Sequence, residues 1–517
     1  MANAGTIRSA ASLPPDITLE YDVCVVGSGS GGGVLAHELA ARGLRVLLLE
    51  EGGHHTRREF DLTEGTAYPM LYQELGNRAT DDLSISILQG RSVGGGTTVN
   101  WCSSFRTPQR ILDRWRDEYG VQGLTTEVLT PHWEALEKRL HIAPWPVERA
   151  NRNNRLLWDG LGKLGYQRGS IPRNVNNCVN LGYCGLGCPI DAKQSMLVTY
   201  IPDGVEQGLD VLANASVRQV EYDGARATAL KVEIFDPEKD NPTGRYFTVK
   251  AKVFALCCGA INSPALMLRS GLDGGGLVGK RTFLHPVILS VALFDEPVNA
   301  FYGAPQSVYS HHFNDRGAGK IGFFLEVPPV HPMLAATTLS GFGQAHGKLM
   351  ASLPNVQACL AITIDGLLEK DEPCGTVGLR SGHQRLAFNY ELTEANWEAF
   401  RFAQREMARL QFAAGARQVM TLHTQPLVMN SEQDLGLIDQ APWEKLRVKV
   451  VTAHQMGGNP MGSDPARSVV DSQLRYRGLD NLFVVDGSVL PTALGVNPQQ
   501  TIFGLARWGA QHVAAAV

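Results

Sequence analysis

Two hydrophobic spacings alternate near the start of the chain. Tyr21 to Val26 is a short continuous apolar run, which predicts a strand; Val34, Leu35 and Leu39 then recur on one side of a helix ending near Gly43, and Val46 to Leu49 is continuous again. The order strand, small-residue turn, helix returns later: the apolar run from Val253 leads to a turn at Gly259 and Ala260, with a helix beginning near Ser263 and Pro264, since Ser before Pro suits a first helical turn. Ile111 to Gly120, Thr130 to Leu140 and Asn151 to Gly165 also read as helices, their tryptophans and leucines as core. Leu209 to Val220 predicts strand, turn and strand, and Leu230 to Val253 a hairpin about the polar turn Asp236 to Gly244. The stretch from Gly53 to about Ser84 is polar and irregular. Near the end, Leu482 to Asp486 is a last strand, and Thr501 to Trp508 begins a closing helix.

From about Gly279 to Lys449 the pattern changes. Val287 to Phe294, Ile321 to Val327, Val356 to Ile364 and Leu386 to Tyr390 are strand-like between loops, and Glu394 to Ala414 is one clear helix. The small-residue stretch Leu334 to Ala345 reads as a mobile lid or an ordinary loop. The expectation is an α/β chain of two domains. Residues 1–120, 205–280 and 450–517 form a discontinuous Rossmann-like nucleotide-binding domain; residues 121–204 and 281–449 form a substrate domain on an antiparallel sheet, with connecting loops.

The first turn carries chemistry. Gly27, Gly29 and Gly32 fill G-x-G-x-x-G between a strand and a helix, and Glu50 follows the second strand. The first glycine permits the sharp turn, the second lets backbone approach a pyrophosphate, and the third lets helix and strand pack closely. Glu50 would accept hydrogen bonds from ribose hydroxyls. In Leu88 to Trp101, Gly94, Gly95 and Gly96 precede Thr97, Thr98 and Asn100, so bare backbone can lie against a flat or charged ligand. A plain turn before a strand is the alternative there. The motif alone does not separate NAD from FAD.

Composition removes several classes. The 517 residues are 44% hydrophobic and 19% charged with a net charge of -4, an ordinary enzyme balance that gives nucleic acid no electrostatic footing. The longest apolar candidate for a membrane span, Val253 to Met267, is interrupted by Gly259, Asn262, Ser263 and Pro264. A peripheral membrane contact stays open. Nine cysteines are too sparse for a disulfide framework and the opening residues lack a signal peptide's apolar core, so the expected location is cytoplasmic. Cys178, Cys184 and Cys188, spaced C-x5-C-x3-C, lack the paired C-x2-C of a cluster site; no metal is expected, and free or buried thiols beside the cofactor are the reading.

The VGSGSGGG turn, the acid in LLLEEGG, GRSVGGGTTVN, and the C-terminal segments AHQMGGNPMGS and VVDGSVLPTALGVNPQQTI resemble the glucose-methanol-choline (GMC) family of flavin oxidoreductases, in the family's order. SVGGGTTVNWCSSFRTP, GYCGLGCPIDAKQS and PTALGVNPQQTI look most like its long-chain fatty alcohol oxidase branch. The resemblance implies FAD. Both ends of the chain would build one FAD site, with Val217 meeting adenine through its backbone, Gly259 covering the flavin side, Asp486 and Gly487 near the ribityl and phosphate groups, and Asn497 and Pro498 at the ring.

The resemblance also implies the chemistry. Removing a hydroxyl proton and a hydride from an alcohol needs a base at the oxygen and an acceptor facing the carbon. His454 matches the family's first active-site position and would take the proton; Asn497 matches the second and would orient the oxygen. One departure stands out: many relatives have Thr-Cys-Arg where this chain has Gly458, Asn459 and Pro460. The implied activity is oxidation of a hydrophobic, long-chain primary alcohol to the aldehyde, with oxygen, a quinone or a cytochrome as final acceptor. Sterols or other secondary alcohols are the next substrates. A redox-neutral flavoenzyme, of the hydroxynitrile lyase or fatty acid photodecarboxylase type, is the rival class, and a non-catalytic flavin binder has no positive support.

Overall fold

The computed structural model describes residues 4–14, 16–368, 373–380 and 385–517. The first apolar runs become central strands. Thr18–Val26 pairs in parallel with Val46–Leu49 on one side and with the long strand Pro242–Leu256 on the other, in the register Val23 to Val46 and Val23 to Val253. Val46 to Leu49 are wholly buried, as a parallel strand covered on both faces must be. Asp210–Ala213 and Ile7–Ser9 extend the parallel side, Arg226–Phe235 and Ala215–Asp223 add an antiparallel meander, and Leu482–Val484 returns to pair with Pro242–Leu256. This doubly covered sheet is the expected Rossmann-like layer, with helices Ser30–Ala40 and Gln499–Ala515 packed together on it.

A second sheet is antiparallel through Phe323–Glu326, Val356–Thr363, Val287–Leu293, Gln418–Thr421 and Val428–Met429. Helix Glu394–Ala413 backs it with a buried stripe that includes Phe400, Ala403 and Met407. Ile85–Ile87 and Val450–Thr452, placed with the first domain by the expected boundaries, pair into this sheet instead. Conversely Trp133 and Leu136, on helix Thr126–Arg139, are buried in the first domain's core although 121–204 was assigned to the second. Chain order alone does not reveal which sheet a short connecting strand joins.

Three local expectations are corrected. The helix expected from Ser263 and Pro264 starts earlier, Gly259–Arg269, because Asp486 reaches from the distant last strand: its Oδ2 accepts from Gly259 N (2.9 Å) and Ser263 Oγ (2.5 Å). A carboxylate at a helix N-terminus satisfies free N–H groups and opposes the macrodipole, and Gly259 tolerates the φ of +85° this entry needs. Leu334 to Ala345 is not a loop but parts of two helices, Pro332–Thr338 and Gly343–Ala351. Glu64 caps the first through Met333 N (2.6 Å) and Leu334 N (2.8 Å). Glu64 itself opens a helix, Glu64–Leu71, inside the stretch read as irregular. Among the described residues no helix is long and apolar enough to cross a membrane.

Candidate active site

The two sheets meet over a cavity of about 760 Å³. Its floor is two glycine turns set back to back. A Cβ on Gly95 would lie 2.7 Å from Gly29 Cα, and Gly95 takes φ +52° and Gly94 φ +92°, so the second turn admits no side chain at either position. A Cβ on Gly29 would instead point toward open cavity, its nearest neighbour Gly95 Cα at 3.8 Å. Gly32 faces the other way: its Cβ would strike Gly27 O at 1.8 Å, the close helix-to-strand packing expected of a third glycine.

Around this floor stand Gly27, Gly29, Glu50, Gly95, Asn100, Val217, Gly259, Asp486, Gly487, Asn497 and Pro498, all on the cavity wall. Glu50 is buried at the end of its strand; Oε2 accepts from Ser28 N and Oγ, Oε1 from Gly52 N. Burial pushes its carboxyl above the usual carboxylate range. Asn100 donates to Gln499 Oε1 (2.6 Å). Gly32, Gly94 and Thr97 do not reach the wall: Thr97 Oγ1 donates to Gly94 O (2.6 Å) and accepts from Met196 N (3.0 Å), which locks the second glycine turn from behind. Asp486 spends its carboxylate on protein donors, Gly259 N and Ser263 Oγ at one oxygen and Ser488 N and Oγ at the other.

His454 and Asn497 come together at the far end. Asn497 Nδ2 lies 3.3 Å from His454 Nε2 and 3.3 Å from Glu326 Oε2, while buried Asn497 Oδ1 has no partner among the described residues. On its other side His454 Nδ1 is 3.2 Å from Nδ1 of His285, which is fully buried. Burial pushes His454 down to about 4 and holds His285 well below its ordinary value. Glu326 is also fully buried, and burial raises its carboxyl to about 8, so it is protonated at neutral pH. Asp365 holds the turn beneath: its carboxylate accepts from Leu284 N (2.7 Å), His285 N (2.9 Å) and Tyr390 Oη (2.6 Å), fixing His285 at φ +48°.

His285 and Glu326 were absent from the sequence expectations. Glu326 left a legible sign, a lone acid inside the apolar strand Phe323–Glu326, which has to find a polar partner. His285 left none, because its partner belongs to a segment 169 residues away.

Known proteins place this architecture. A GMC oxidoreductase N-terminal family model matches residues 68–287, and a C-terminal one residues 371–506. The chain belongs to the GMC oxidoreductase family. This GMC oxidoreductase is 31% identical, over its whole length, to 79% of an uncharacterised GMC-type oxidoreductase of Mycobacterium tuberculosis. It is 29% identical to a long-chain-alcohol oxidase of Arabidopsis thaliana, over 95% of this chain and 68% of that protein. The crystal structure of pyridoxine 4-oxidase from Mesorbium loti superposes with a TM-score of 0.70 at 21% identity, covering 95% of this chain and 99% of that one. The cofactor is FAD, and the cavity fits it: a side-chain-free floor, the N-terminus of helix Ser30–Ala40 without a side-chain cap, and an acid at the end of the neighbouring strand suit a dinucleotide. Among the described residues no group of three or more His, Cys, Asp or Glu is disposed to hold a metal.

Proposed function

We propose that this enzyme oxidises long-chain primary alcohols to aldehydes, with His454 as base. The observation that carries the reading is the wall next to His454 and Asn497. Val287, Leu289 and Val291 alternate along one strand and Val356, Ala358, Leu360 and Ile362 along its neighbour, so one apolar face of the second sheet lines the cavity. Val356 to Ile362 extends for about 20 Å at the usual strand rise, long enough for an extended alkyl chain.

Bound FAD supplies the hydride acceptor. Glu50 would hold the ribose hydroxyls, the Gly27 to Gly31 turn the pyrophosphate, Val217 the adenine, and Asn100, Asn497 and Pro498 the ring. Asn497 Nδ2 donates to the substrate oxygen and turns its C–H bond toward the ring. His454 takes the hydroxyl proton at Nε2. The competent tautomer carries its own proton on Nδ1 and donates it to Nδ1 of His285, which holds the imidazole plane while charge develops. Protonated Glu326 beside Asn497 leaves that end of the site without a fixed anion, so the charge formed on the substrate oxygen is not opposed. The reading includes a peripheral membrane contact, supported by Phe342, 90% exposed between the two short helices of which the first lines the cavity.

The test is anaerobic. The FAD-loaded protein is mixed with straight-chain primary alcohols of increasing length and with a sterol, the visible flavin absorbance is followed, and air is admitted. Bleaching that strengthens with chain length supports the reading; fast recovery in air identifies an oxidase and slow recovery a dehydrogenase. Bleaching by the sterol alone moves the substrate class to secondary alcohols. No bleaching by any alcohol sinks the proposal in favour of redox-neutral chemistry.

A further inference from the structure

The cysteine segment that the active site leaves unused holds a charge imbalance. Arg173 is fully buried and Lys193 nearly so, and among the described residues neither has a carboxylate ion-pair partner. Arg173 donates through Nη1 to the carbonyls of Trp101 (2.9 Å) and Gln306 (2.9 Å), and Lys193 through Nζ to Asn100 O (2.7 Å) and Cys184 O (2.9 Å). The buried Arg173 guanidinium, with carbonyls as its oxygen partners, calls for an anion, while burial pulls the Lys193 ammonium below its ordinary value. An acid in reach is Cys184: Arg173 Nη2 lies 3.6 Å from its Sγ, and the Cys102 thiol lies beside it. The Cys102 hydrogen bond, followed by the charges of Arg173 and Lys193, pulls the Cys184 thiol below its ordinary value despite burial, while Cys102 is pushed up. With the Arg173 guanidinium 3.6 Å from its sulfur, Cys184 is the member of the pair whose ionised form is favoured, and Cys102 the one held as a thiol.

We propose that Cys184 and Cys102 form a dithiol site that reacts with hydroperoxides and closes to a disulfide. The Cys184 sulfur attacks one oxygen of hydrogen peroxide, the O–O bond breaks, and hydroxide leaves and takes up a proton, giving a sulfenic acid. Cys102 then attacks that sulfur; the S–OH bond breaks, the S–S bond forms, and the hydroxyl leaves as water with the Cys102 proton. Two electrons pass from the sulfurs to the peroxide, and one thiolate, one thiol, one peroxide and one proton give a disulfide and two waters. Access and positioning fit this order. Cys184 is half-buried and the less enclosed of the two, so it is the one to meet the peroxide; Cys102 is fully buried and serves only to resolve. Cys102 sits at φ +71°, a left-handed conformation unusual for a side-chain-bearing residue, with its N–H on Asn100 Oδ1 (3.2 Å). Trp101 and Ser103 on either side of it line the FAD cavity, which puts the cysteine pair one residue behind the cavity wall.

The FAD-loaded wild-type protein is treated with stoichiometric hydrogen peroxide, alkylated, digested and mapped by mass. The expected product is a Cys102–Cys184 linked peptide pair, lighter by two hydrogens and restored by dithiothreitol, with Cys184 consumed at least about tenfold faster than Cys178. In Cys102→Ser the expected product is Cys184 sulfenic acid, trapped by dimedone, with no linked pair. Cys184 reacting no faster than Cys178, or wild-type Cys184 passing to sulfinic acid with Cys102 still free, overturns the proposal. Because the decisive measurement is made on wild type, a folding defect in the variant does not rescue it.

Discussion

Nδ1 of His285 faces Nδ1 of His454 across 3.2 Å, and among the described residues no carboxylate bonds to either ring. Each nitrogen can be donor or acceptor, so the pair shares one proton between the facing atoms, and only the form with that proton on His454 leaves its Nε2 free to act as base. Gly495 N–H points at His285 Nε2 from 3.4 Å, a long contact that pulls weakly toward the opposite form. On the proposed mechanism His285 is a positioning residue. His285→Phe should lower kcat on the order of 10- to 100-fold with little change in KM, and His285→Asn, which can still accept at that place, should recover part of the loss. Equal loss in both variants, or a loss confined to KM, refutes the role.

Acid sensitivity follows from the same pair. His454 is pushed from 6.5 to about 4 by burial, so the acid limb of kcat/KM should fall near pH 4 and not near 6.5. Stability responds over a different window. Between about 6.5 and 4 the unfolded chain binds protons on these histidines that the folded chain refuses, so their contribution is intact above 6.5 and is lost as pH drops toward 4. Thermal melting from pH 7 to 4.5 checks this, and an acid limb at 6.5 would show that the rate-determining base is not buried.

Much of the nucleotide half was legible because its signals are local. Gly27, Gly29 and Glu50 act within one strand-turn-helix-strand unit, and their spacing alone predicts where the floor and the acid must stand. What stayed hidden depends on partners brought in from far along the chain. Asp486 moves the start of helix Gly259–Arg269 by capping it, Glu64 turns an apparent lid into a helix, and Asp365 fixes His285; no window of sequence contains both members of any of these pairs. His454 and Asn497 were found through family resemblance, since neither is distinguished by its immediate neighbours.

Glu326 makes the opposite pH prediction. Its carboxyl rises from 4.5 to about 8, so from about 4.5 upward the unfolded chain releases a proton that the folded chain keeps, and stability falls as pH rises toward 8. Glu326→Gln removes the titrating group while keeping an acceptor for Asn497. Its melting temperature should exceed wild type by a margin that grows between pH 5 and 8. A constant difference across that range would mean that Glu326 is ionised in the folded protein.

The glycines separate cofactor binding from folding. Gly29→Ala puts a methyl into open cavity where the pyrophosphate is expected, so FAD affinity should drop while the apoprotein melts nearly as wild type does. Gly32→Ala drives a methyl to 1.8 Å from Gly27 O and should destabilise the apoprotein by about 1–3 kcal/mol or more. Flavin fluorescence titration and apoprotein melting read the two effects, and the same outcome for both variants would dissolve the distinction.

Chain-length selection should reside on the second sheet. Ala358 is a small residue on the cavity face of Val356–Thr363, between Val356 and Leu360. Ala358→Phe adds a ring to the apolar wall without touching His454, Asn497 or the glycine floor. On the proposed reading long alcohols would need the full wall and short ones only its end near His454, so the variant should lose kcat/KM toward long-chain substrates by about 10-fold or more and keep it toward short ones. Each methylene excluded from an apolar pocket forfeits roughly 0.8 kcal/mol, which makes the loss grow with every carbon the ring displaces. A uniform loss at all chain lengths would point to a distorted site, and no loss would place the alkyl chain elsewhere.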